Sequence, residues 1–138
     1  MSAVRTLARL SRLLEHSDTG LSLPQFRLLA MVDEGGERAT ALAERLRLSK
    51  PTITAAVDGL VERGLVARAV VEGDRRAVNV QITPAGREAL AQAEDRMAER
   101  LQPVFDHCEN PDAVAASIDQ LERALDAVAA ERRMERAR

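Results

Sequence analysis

A single change of hydrophobic period, between residues 65 and 82, separates this chain from a plain helical bundle. On both sides of it, apolar residues recur every three or four positions, the spacing of helices that bury one face. From Leu65 to Val71, and again from Ala77 to Ile82, β-branched side chains dominate instead. The polar stretch Glu72-Gly73-Asp74-Arg75-Arg76 lies between them. Two short strands around a glycine-containing turn predict a β-hairpin. The expected fold class is therefore mainly α with one small β-hairpin. A length of 138 residues fits a single domain with a real core.

The helices are marked by caps and stripes. Ala3, Leu7, Leu10 and Leu14 form one apolar stripe over residues 3–17, which Asp18, Thr19 and Gly20 break. Ser22 caps a second helix, with Pro24 in its first turn and a stop at Gly35-Gly36. Thr40 is the expected cap of a short helix, ALAERLR. After a tight turn, Ser49 caps KPTITAAVDGLVER, whose stripe is Ile53, Val57, Leu60 and Val61 and whose stop is Gly64. Thr83-Pro84 starts a long helix to about Phe105. Asn110-Pro111 starts the last, where Val114, Ile118, Leu121, Leu125 and Val128 make a narrow two-stripe seam.

Composition removes several function classes. The aromatics are Phe26 and Phe105 alone, with neither Trp nor Tyr, so stacking on unpaired bases is nearly excluded. No apolar run approaches the ~20 residues of a membrane span. The start MSAVRTLARL has no long apolar stretch or cleavage site, so a cytoplasmic protein is expected. One cysteine excludes an intrachain disulfide and a multi-cysteine zinc cluster. His16 and His107 stand apart without acidic partners at ligand spacing, so neither metal nor cofactor is expected. No nucleophile motif appears, so no enzyme is expected.

The formal net charge of −2 looks unfavourable for a partner made of phosphates. Its distribution reverses that impression. Residues 1–43 are neutral, residues 44–87 carry +3, and residues 88–138 carry −5. The basic middle suggests one face that meets a polyanion. All but one of the cations are Arg, which binds phosphate or guanine in a planar, bidentate way.

Two short helices separated by a turn of three to four residues, then a hairpin, form a winged helix-turn-helix. The second helix of such a unit enters the DNA major groove. Here that helix is residues 50–63. With Ile53, Val57 and Leu60 inside, its outer side presents Lys50, Thr52, Thr54, Ala55 and Asp58. Ser49, Thr52 and Thr54 can donate to phosphates or base edges, and Lys50 can meet phosphate or guanine. Arg75 and Arg76 are expected at the hairpin tip, suited to a narrow minor groove. Asp74 beside them is expected to pair with Arg68 or Arg76.

From Leu21 to about Leu90, half its length, the chain resembles the MarR (multiple antibiotic resistance regulator) family of winged-helix repressors. The residues that carry the resemblance are LSLPQFRLLAMV, ATALAERLRLSKPTITAAVDGLVERGLVAR and GDRRAVNVQITPAG. The most specific are Gly64-Leu65-Val66, Arg68, Asp74-Arg75-Arg76, Thr83-Pro84 and Gly86. The resemblance implies that Asp74, Arg75 and Arg76 form an ion-pair and DNA-contact unit, and that the helix after Ser49 reads the operator. One departure is Ala55, where members of the family often have Arg.

The resemblance also implies a single MarR-type domain over 1–138, with a winged helix-turn-helix at 22–87 flanked by N- and C-terminal dimerisation helices at 1–21 and 88–138. Leu7, Leu10 and Leu14 would meet a second copy, as would Ile118, Leu121 and Leu125. The implied function is a bacterial homodimer that binds double-stranded DNA at a pseudo-palindrome and represses until a small molecule releases it. A phenolic or other aromatic anion is the implied effector, with Phe26, Arg27 and Ala30 as its candidate contacts. An alternative is a winged-helix protein–protein interaction module, against which the paired Arg count. A second alternative is thiol-based redox sensing through Cys108. Asp106 and Glu109 beside Cys108 weigh against an activated thiol.

Overall fold

The computed structural model describes residues 2–33, 35, 37–71 and 73–136, with side chains at all of these except 37–40, 71, 74–78 and 136. The elements run α1 (Ala3–Glu15), α2 (Leu23–Asp33), β1 (Glu37–Arg38), α3 (Ala39–Leu46), α4 (Lys50–Glu62), β2 (Val66–Val71), β3 (Asp74–Ile82), α5 (Pro84–Asp106) and α6 (Pro111–Arg136). Mainly helical architecture with a hairpin wing is thus observed. The chain divides into two compact units, Met1–Arg100 and Leu101–Arg138.

The first unit is built on α2, α3 and α4 packed against the sheet. Leu28, Leu29, Leu42, Leu60 and Val80 have no exposed surface, and Val32, Ile53, Val57 and Val66 have almost none. Each such side chain contributes about 2 kcal/mol by leaving water. Leu21, Phe26, Ala30 and Leu48 close the edge of this cluster. The start of α5 joins it through Leu90.

Helix boundaries follow the capping chemistry. Ser22 Oγ accepts from Gln25 N (3.3 Å) while Gln25 Oε1 accepts from Ser22 N (3.1 Å), a reciprocal capping box. Thr83 Oγ1 accepts from Gly86 N (3.1 Å) and donates to the Gly64 carbonyl (2.6 Å). Asn110 Oδ1 accepts from Ala113 N at 3.0 Å. One boundary differs from expectation. Helix α3 begins at Ala39, so Thr40 lies inside its first turn and is not the cap.

Two features were not expected. The pair Glu37–Arg38 adds an edge strand, giving a three-stranded antiparallel sheet in the order β1-β3-β2. Pro103 lies inside α5. It removes one backbone donor and thus one rung of the helix ladder.

The second unit comprises the end of α5 from Leu101 and all of α6. His107 Nδ1 lies 2.7 Å from the Pro103 carbonyl. Cys108 Sγ donates to the Val104 carbonyl (3.4 Å). These contacts close the last turn before Asn110. The seam on α6 is present and open to solvent: Leu125 is 70% exposed and Leu121 55%.

Candidate nucleic-acid interface

Helix α4 is locked at both ends by its own backbone. At the end of α3, Arg47 adopts φ 51°, the left-handed region. Leu48 N then donates to the Ala43 carbonyl (3.1 Å) and Arg47 N to the Glu44 carbonyl (3.2 Å). This closure satisfies two of the terminal carbonyls of α3 and turns the chain in three residues. Ser49 then caps α4, accepting from Thr52 N at 3.3 Å. At the far end Gly64, with φ 72°, allows the same closure: Leu65 N donates to the Leu60 carbonyl and Gly64 N to that of Val61, both at 2.9 Å. Arg63 Nη1 ties this end to the Gly20 carbonyl (2.7 Å).

With Ile53, Ala56, Val57 and Leu60 buried, the opposite side of α4 faces solvent. Lys50, Thr52, Thr54, Ala55 and Asp58 are all exposed, as is Ser49. Thr52 Oγ1 and Ser49 Oγ are 2.8 Å apart, so these hydroxyls also hold each other in place. One of the two hydroxyls spends its single proton on the other, so the pair keeps one O–H free to donate outward alongside the cap.

Asp58 has a different part from the one its exposure suggests. Its carboxylate accepts from Arg68 Nη2 on β2, forming an ion pair between α4 and the wing. The expected pairing of Asp74 with Arg68 or Arg76 falls on a side chain outside the described residues. The pair is more than one-third exposed on both sides and water screens it, so it adds under about 1 kcal/mol. Its consequence is positional: the β2 strand is referenced to α4. A second exposed pair, Arg87 Nε with Asp33 Oδ1 at 3.1 Å, ties the start of α5 to the end of α2.

The wing differs from the expected hairpin. Strand β3 begins at Asp74, so Asp74, Arg75 and Arg76 belong to the strand, and Gly73 is the described turn residue. Gly73 supplies the left-handed corner with φ 85°. The register passes from Val70↔Val78 directly to Val71↔Asp74. Arg75, Arg76 and Ala77 thus fall within one step of β2, as a bulge that sharpens the local twist. The side chains of Asp74, Arg75 and Arg76 lie outside the described residues.

Between the start of α2 and the outward side of α4 lies an open concavity of about 490 Å³. Helix α2 lines it with Ser22, Pro24 and Gln25. Helix α4 contributes Pro51, Thr52 and Ala55, with Ala56 at its floor. The helices approach closely because α4 is small there. A Cβ on Gly59 would come within 2.9 Å of Gln25 Nε2. Gln25 and Gly59 were not among the expected site residues. The capping box through Ser22 was the available signal for Gln25.

The candidate effector contacts lie elsewhere. Phe26 and Ala30 are half-buried against the core, and Arg27 is exposed. None of the three lines the concavity. On α1, Leu7 is 57% exposed, whereas Leu10 and Leu14 are half-buried. On α6, Ile118, Leu121 and Leu125 are exposed. Among the described residues, no helix is long and apolar enough to cross a membrane.

A model of the MarR family matches residues 19–77. The uncharacterized HTH-type transcriptional regulator YpoP of Bacillus subtilis is 34% identical over 110 residues, covering 79% of this chain and 77% of that protein. The HTH-type transcriptional repressor YetL of the same organism is 30% identical over 89 residues, covering 61% and 53%. Among solved structures, the transcriptional repressor CouR bound to a 23-mer DNA duplex is similar with a TM-score of 0.72 and 27% identity, over 88% of this chain and 87% of that one. With such identity across most of both chains and the winged helix-turn-helix in place, the chain belongs to the MarR family of transcriptional regulators and is not an enzyme.

Proposed function

We propose that this regulator binds duplex DNA as a symmetric homodimer, represses from a pseudo-palindromic operator in the cytoplasm, and releases it when a small aromatic anion binds. The observation that carries the reading is the division of α4. One side is spent on the core, and the other offers Lys50, Thr52, Thr54 and Ala55 to solvent on a helix fixed at both ends. A helix of this kind is what a major groove admits. The duplex bound to CouR and the repressor names of CouR and YetL support the same direction.

The homodimer rests on the open seams. Exposed apolar side chains in a row mark an interaction surface. Val114, Ile118, Leu121, Leu125 and Val128 form such a row on α6, and Val4 and Leu7 are exposed on α1. Two copies place two reading helices on half-sites one helical turn apart. Within each copy, Ser49, Lys50, Thr52, Thr54 and Ala55 meet the major groove, and the Arg75-Arg76 wing meets the backbone and the minor groove beside it. Asp58 and Arg68 set the spacing between those two contacts.

Effector release is assigned to α2. Exposed Arg27 would meet the anion, and Phe26 and Ala30 would supply an apolar wall. The deciding experiment uses fluorescence anisotropy with labelled duplexes from upstream of the chain's own coding region. Binding is expected to weaken steeply between roughly 50 and 200 mM salt, as phosphate contacts require. A panel of phenolic and aromatic carboxylates should release that DNA from the wild type and not from Arg27→Ala. Absence of any salt-sensitive duplex binding would overturn the reading in favour of a protein–protein module.

A further inference from the structure

Resting on the duplex-DNA reading above, we infer that the concavity beside Ala55 reads the C5-methyl group of a thymine in each half-site. The wall chemistry carries this. Among the exposed residues of the first half of α4, Ala55 is the apolar one beyond Pro51 of the first turn, near Lys50, Thr52 and Thr54. It can neither donate nor accept a hydrogen bond. The one apolar group that the major groove displays is the thymine methyl, and small apolar side chains are its usual contact.

The concavity extends that contact. Pro24 and Pro51 add apolar wall on either side of Ala55, and Ala56 closes the floor. The concavity is open along the outward side of α4, so a base edge can approach it from the groove. The rim is polar where a sugar–phosphate strand would pass. Gln25 Oε1 is occupied by Ser22 N, which fixes the amide and leaves Nε2 with no partner among the described residues. Nε2 is thus a donor available to the phosphate beside the methylated base, with Thr52 Oγ1 across the opening. Methyl contact and phosphate contact together set the register of α4 along the groove.

An arginine at position 55 would fill this space and would select guanine through O6 and N7. The alanine therefore exchanges a guanine contact for a thymine contact, and it should make the protein sensitive to base methylation at one position.

The test begins with duplexes selected from a randomised library by the full chain. Each thymine of the selected site is then replaced in turn by deoxyuridine, which removes the methyl alone. One thymine per half-site should show about a fourfold loss of affinity, the effect of one apolar carbon returned to water. Ala55→Gly should abolish that difference while leaving the response at other positions unchanged. 5-Methylcytosine at the same position should recover most of the loss that cytosine causes. Reselection with Ala55→Arg should replace that thymine by guanine. A selected duplex indifferent to deoxyuridine at every thymine would overturn this inference alone, as would equal losses in the wild type and Ala55→Gly. A library from which no duplex is retained would overturn the DNA reading itself.

Discussion

Gly86→Ala isolates the joint on which the wing is mounted. Gly86 is buried in the first turn of α5. A Cβ there would lie 2.0 Å from the Leu65 carbonyl oxygen and 2.7 Å from Ile82 Cγ1. Real Cβ atoms essentially never approach within 3.0 Å, so α5 must retreat from the start of β2. The retreat also stretches two bonds that close the joint, Thr83 N to the Leu65 carbonyl (3.1 Å) and Thr83 Oγ1 to the Gly64 carbonyl (2.6 Å). Overpacking costs about 2 kcal/mol, and the two hydrogen bonds together are worth about 2 kcal/mol. Alanine returns about 1 kcal/mol through helix propensity. The net expectation is a loss of about 3 kcal/mol, or a Tm lowered by about 10 °C for a chain of this size. Urea denaturation of wild type and variant at one fixed protein concentration measures it, because association would otherwise shift the apparent stability. A variant as stable as the wild type would refute the reasoning, for then the backbone contact at Leu65 is not limiting.

The remaining predictions concern the reading helix, the wing and the seams. Arg75→Ala should fold normally, bind DNA more weakly at ~0.15 M salt, and lower the salt slope by about one unit per protomer, as anisotropy titrations would record. Replacing Leu121 and Leu125 together by Glu should give monomers in sedimentation that bind the operator poorly; a persisting dimer would remove the α6 seam from the interface. Arg47→Gly should stabilise the fold by about 0.5–1 kcal/mol in urea denaturation, since a left-handed backbone is costly for a residue with a Cβ. Asp58→Asn should change stability by less than about 0.5 kcal/mol, because the ion pair is exposed, and a large loss would mark it as more than a positional contact.

The starts of α2, α4, α5 and α6 were legible because each combines a capping side chain with a proline in the first turn. Ser22 with Pro24, Ser49 with Pro51, Thr83 with Pro84 and Asn110 with Pro111 leave few other backbone solutions. The buried side of α4 was legible for the same reason, since Ile53, Val57 and Leu60 allow one orientation. Strand β1 was not legible. Its two residues, Glu37 and Arg38, carry no alternation, and they pair as a strand only because β3 offers an edge. The wing register was hidden by the bulge at Val70 and Val71, since strand composition does not reveal an inserted step. The Asp58–Arg68 pair was not foreseen, because ten residues and the α4–β2 turn separate the two along the chain. The concavity was invisible as a shape, although Ala55 was marked as a departure from the family.

The placement of these features also explains how one scaffold can serve different operators. Core contacts, helix closures at Arg47 and Gly64, and the tie from Arg63 to Gly20 hold α4 without calling on Thr54 or Ala55. Those two positions can change without loosening the helix, because nothing that fixes its axis passes through them. Ser49 and Thr52 are more constrained, since their hydroxyls close the helix start whatever else they touch. Asp58 is constrained by Arg68. Free variation is thus concentrated at the middle of the exposed side, where a base edge would lie, and constraint at its two ends, where phosphates would. The +3 of residues 44–87 follows the same division: the outward side of α4 carries Lys50 and the neutralised Asp58, while the charge needed for a polyanion comes mostly from the turns and strands around it. On the proposed reading, base contact falls to the exposed side of the helix, and most of the affinity to the arginines that frame it.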